Sequence, residues 1–125
     1  MSLFQPARRR DPQTLVEEAT LDFTMGDIPA ALVKLREALT DDPKYFPALH
    51  ALAEIHFAQR ELDQALVAAT AAHVLRPDDV HINTSLSRIY MEKGDKPQAE
   101  HFGAQARMLS WKDELKSPPP EPTKL

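Results

Sequence analysis

The phrase GDIPAAL at residues 26–32 returns as RELDQAL at 60–66 and as GDKPQAE at 94–100. Gly26, Arg60 and Gly94 thus stand 34 residues apart. The alanine columns Ala31/Ala65/Ala99 and Ala38/Ala72/Ala106 keep the same step. So do Pro43 and Pro77, with Trp111 in the third place. A fixed period of this size confines the chain to stacked copies of one small unit, each unable to bury its apolar face alone.

The period has an internal grammar. Gly26 suits the left-handed residue that closes a helix, Asp27 the cap of the next, and Pro29 its first turn, where a missing N–H is harmless. Gly94, Asp95 and Pro97 repeat the arrangement. Pro43 and Pro77 disfavour helix at Asp42 and Arg76 and so end the second helix of each unit. Helical spacing is visible in Leu49, Leu52, Ala53 and His56, which fall on one face. The expected helices cover 13–25, 28–41, 46–59, 62–75, 80–93 and 96–115: three antiparallel pairs in an all-α solenoid.

With 125 residues, 42% hydrophobic and 27% charged, the chain is sized and composed for one folded domain. A net charge of −4, with Arg8, Arg9 and Arg10 gathered at one end, leaves an acidic body unsuited to duplex nucleic acid. Cysteine is absent, the first residues show no apolar signal core, and no apolar run is long enough for a membrane span. A cytoplasmic location is the expectation.

A 34-residue helix–turn–helix unit with Leu49, Leu52, Ala53, Ala65, Ala72 and Pro77 in order, followed by Leu86, Tyr90, Ala99 and Ala106, resembles the tetratricopeptide repeat over about residues 12–113. Repeats fall at about 12–45, 46–79 and 80–113, with the last helix extended, in a domain spanning 13–116. A flexible basic arm over 1–12 and a Pro-rich disordered tail over 117–125 flank it. Arg60 in place of the turn glycine, and Glu18 and Asp22 at apolar positions of the first helix, depart from the pattern. The resemblance implies a right-handed superhelix whose first helices line a concave, peptide-docking face.

The faces opposite the core stripe supply candidates for that groove. The first repeat offers Val16, Thr20 and Phe23; the second, His50, Glu54 and Phe57; the third, His81, Thr84, Arg88 and Met91. Phe23, Phe57 and Met91 form a column of apolar anchors. The basic and asparagine cluster with which relatives clamp the carboxylate tails of heat-shock chaperones has no match here.

Chemistry is hard to assemble from what remains. His50 and His56 point to different faces, so no metal site is expected. His81 and Ser85 lack an oxyanion hole, and three glycines make no phosphate loop. The expectation is a non-enzymatic scaffold with no cofactor, binding a protein or peptide segment, with no nucleic acid and no membrane span among its partners. Two other readings stay open: a small secretion-type chaperone, and a self-associating adaptor. For the latter, Met108, Trp111 and Leu115 form a stripe that either folds back as a cap or joins two copies.

Overall fold

The computed structural model describes residues 10–116. The proposed tail, and all but the last three residues of the proposed arm, lie outside them. Six helices follow one another: α1 (Pro12–Thr24), α2 (Ile28–Asp41), α3 (Phe46–Ala58), α4 (Leu62–Leu75), α5 (Val80–Lys93) and α6 (Lys96–Lys116). No strand occurs among the described residues. The helices pack as the pairs α1/α2, α3/α4 and α5/α6, and α3 and α5 join each pair to the one before. No described helix is long and apolar enough to cross a membrane.

Local chemistry explains the boundaries. Asp11, Asp27, Asp79 and Asp95 each accept a backbone N–H in the first turn of the helix that follows, at 2.8–3.2 Å. The three helix-to-helix closures are one motif used three times. In each, a left-handed residue lets a six-residue backbone bond form: Asp27 N–H to Asp22 C=O at 2.8 Å, Glu61 to His56 at 2.9 Å, and Asp95 to Tyr90 at 2.9 Å. Gly26 and Gly94 hold that position at φ 86° and 82°. Arg60 holds it at φ 62°, so the odd turn keeps the common shape and carries the strain of a side chain in the left-handed region. Its guanidinium lies 3.0 Å from Glu92.

The alanine columns are the seams of the structure. Ala31, Ala38, Ala65, Ala72, Ala99 and Ala106 are all buried, and their small side chains let paired helices approach closely. Two apolar clusters result. One is built on Leu15, Ala19, Leu35 and Ile55, the other on Phe46, Ile82, Leu86 and Ile89, and Leu52 packs against both.

The polar intrusions into α1 are accommodated by partners. Asp22 is paired with Lys34 of α2, and Glu18 with Arg10. Leu15 and Ala19 are completely buried, which places α1 in the same register as α3, where Ala53 is buried one period on. A further intrusion escapes helical periodicity. Asn83 stands where the two earlier repeats have Leu15 and Leu49, and it is fully buried. Its amide donates to the carbonyls of Pro77 and Asp79 at 2.9 and 2.8 Å, tying down the turn between α4 and α5, while its Oδ1 has no partner.

The C-terminal stripe does not fold back. Met108, Trp111 and Leu115 are 47%, 61% and 66% exposed, and nothing beyond Ala106 on α6 is buried. With no proline at 111 the helix runs on to Lys116, carrying the stripe into solvent.

Candidate functional site

The 34-residue step converts into three parallel columns when α1, α3 and α5 stand side by side: Val16/His50/Thr84, Thr20/Glu54/Arg88 and Phe23/Phe57/Met91. Val16 and Phe23 are half-buried against the first apolar cluster. Phe57 is half-buried against the second, and Met91 is 53% exposed. Thr20 and Thr84 are exposed, with each hydroxyl returned to a carbonyl of its own helix. His81 is exposed at the start of α5 and stands apart from the columns.

Glu54 is the centre. Its carboxylate receives the Ser85 hydroxyl from α5, lies 3.4 Å from Nε2 of His50 on its own helix, and lies 3.6 Å from the Arg88 guanidinium. The hydrogen bond from His50 is the largest influence holding the Glu54 carboxyl below its ordinary range; Ser85 and the charge of Arg88 reinforce it against the opposing effect of burial. Arg88 in turn lies over the Phe57 ring, 4.6 Å from its centroid. Four of the sequence-derived residues are therefore brought into one contact network across the α3/α5 seam.

Ser85 stands outside the three columns, yet it joins them. It is buried, and its hydroxyl also approaches the His81 carbonyl at 3.0 Å. One period earlier stands Ala51, which lines the neighbouring pocket and has no hydroxyl to offer.

Two pockets flank the network. One, of about 250 Å³, is lined by Thr20, Phe23, Ala51, Glu54 and Ile55 between α1 and α3. The other, of about 390 Å³, is lined by Phe57, Ser87, Arg88, Met91 and Glu92 between α3 and α5. The first is nearly all hydrocarbon, and the second presents an aromatic face, a thioether and charges of both signs. Such a surface can seat apolar side chains in succession and fix the chain between them through a carboxylate and a guanidinium. Elsewhere His56 faces Glu61 at 3.2 Å, and His73 and His101 both pack edge-on to Phe102.

Residues 23–69 match the family model described as tetratricopeptide repeat. Over those residues the chain is similar to the tetratricopeptide repeat. Among the solved structures that share the fold are two crystal structures of MamA. One superposes with a TM-score of 0.79 at 19% identity, covering 84% of this chain and 61% of that one. The other gives 0.77 at 18% identity, covering 92% and 63%. The present chain thus spans less than two-thirds of either. At such identity the likeness concerns the right-handed solenoid and nothing finer. No curated protein sequence matches the chain. Tetratricopeptide arrays are in general protein–protein interaction scaffolds without catalytic activity.

Proposed function

We propose that this tetratricopeptide array is a non-enzymatic scaffold that holds an extended or helical segment of a partner protein along the face of α1, α3 and α5. The Glu54-centred network carries the reading. A half-buried carboxylate kept ionised, cross-linked to the next repeat by Ser85 and Arg88, lies between two open pockets. The same contacts stiffen the seam between α3 and α5, and a docking groove uses a rigid polar marker between its apolar seats. The favoured segment places one aliphatic side chain over Phe23 and Ile55 and a second apolar group beside Phe57 and Met91.

Affinity capture from the native lysate tests this. Bait protein is compared with a His50→Ala/Phe57→Ala/Arg88→Ala variant shown by circular dichroism to be equally helical. A partner retained by the first and lost by the second supports the reading. Equal recovery by both removes the groove from consideration.

A further inference from the structure

Helices α2 and α4 each run for 14 residues and α6 for 21, seven more. The added heptad, residues 110–116, is exposed throughout. It lengthens an apolar line that begins inside the repeat. At 100° per residue Ala104, Met108, Trp111 and Leu115 fall within an arc of about 60°, on the side of α6 opposite the buried Ala99 and Ala106. All four are exposed. Their steps of four, three and four residues are those of a coiled-coil seam.

The edges of the seam decide what fits over it. Arg107 and Glu114 border it on one side, Gln105 and Lys112 on the other. Arg107 and Glu114 are exposed, and neither has an ion-pair or hydrogen-bonding side-chain partner among the described residues. Laid antiparallel on its own copy, the seam sets Trp111 against Met108 and Leu115 against Ala104, and symmetry repeats both layers. In that register Arg107 meets Glu114 of the other copy at both ends of the contact, and Gln105 meets Lys112. A parallel alignment sets Arg107 against Lys112 instead, so charge selects the antiparallel one.

We infer that α6 is a dimerisation helix, residues 104–115 pairing antiparallel with the same residues of a second copy of this chain. The contact uses one patch twice, so it closes at two copies and builds no fibre. An indole buries about 150–250 Å². Two of them, with two Met108 and two Leu115, bring the contact to roughly 1,000 Å², the lower end of specific interfaces, and the dimer has micromolar affinity. It uses no residue on the face of α1, α3 and α5.

The chain's single tryptophan lies within the pairing, so one residue reports it. Intact protein is followed by sedimentation and by tryptophan emission from low to high micromolar concentration. Mass rises to that of two copies and no further, emission moves to the blue, and Trp111→Ala abolishes the rise in mass. Arg107→Glu and Glu114→Arg, both at exposed positions, each oppose like charges twice and weaken association by about tenfold. The decisive sample mixes these two variants. Opposite charges then face each other at both crossings, and a heterodimer of parental affinity forms, as the double variant Arg107→Glu/Glu114→Arg does with itself. Monomer mass throughout overturns the inference. So does association indifferent to the charge changes, or a mixture no tighter than its parts, either of which places other residues in the contact. Blue emission at monomer mass overturns it too, because the chain then covers its own tryptophan.

Discussion

Arg60, Asn83 and Glu54 each break the repeat, and each break has a measurable consequence. Arg60 occupies a left-handed turn that its two counterparts give to glycine. Arg60→Gly relieves that strain and loses only an exposed ion pair, so it raises stability by about 0.5–1 kcal/mol in urea unfolding, even after the larger entropy of the unfolded glycine chain is counted. Asn83 shows a buried amide to two carbonyl oxygens. Asn83→Asp replaces that donor with a carboxylate and lowers the stability measured in the same titration by about 3 kcal/mol. Glu54 has its folded-state pKa depressed, chiefly by His50. The stability this contributes is complete above the ordinary carboxyl range and drains away as pH falls through the lowered value. Unfolding midpoints at neutral and at strongly acid pH should therefore show Glu54→Gln less stable than the parent at the former and level with it at the latter. The columns holding Glu54 and Arg88 could be read from spacing, because a 34-residue shift carries one into the other. Their coupling could not, because it depends on Ser85, whose neighbourhood is set by how closely α5 approaches α3.

At the level of elements, the helix boundaries were the most legible part. They are written in short-range chemistry: aspartates that cap, prolines that open or end a helix, and a left-handed residue every 34 positions. Expected and observed spans differ at four of the twelve ends, by one residue each. Asp79→Ala removes a first-turn acceptor and costs about 1 kcal/mol, observable as earlier fraying of α5 in amide exchange. The course of α6 was legible only in length. Whether Met108, Trp111 and Leu115 turn inward depends on whether a surface lies within reach, and sequence spacing does not describe that surface. Because the stripe is largely exposed, Trp111→Ala changes the stability of the dilute monomer by no more than about 0.5 kcal/mol.

For the molecule as a whole, the solenoid class followed from the period, since units that repeat must stack. The division into two apolar clusters did not, because it reflects which side chains reach across a seam. Leu52 alone among the described, partly buried residues packs against both clusters. Leu52→Ala costs about 2–4 kcal/mol, and because it thins the link between clusters, it also lowers the steepness of denaturant unfolding as the first repeat begins to melt separately. The threefold closure at residues 26, 60 and 94 has a further bearing. Every closure is a splice point with the same backbone on either side, so a copy of residues 61–94 inserted after Gly94 enters with its caps intact. The chain is a sentence that can be lengthened by a clause without altering its syntax, and each added clause extends the face of α1, α3 and α5 by one more helix.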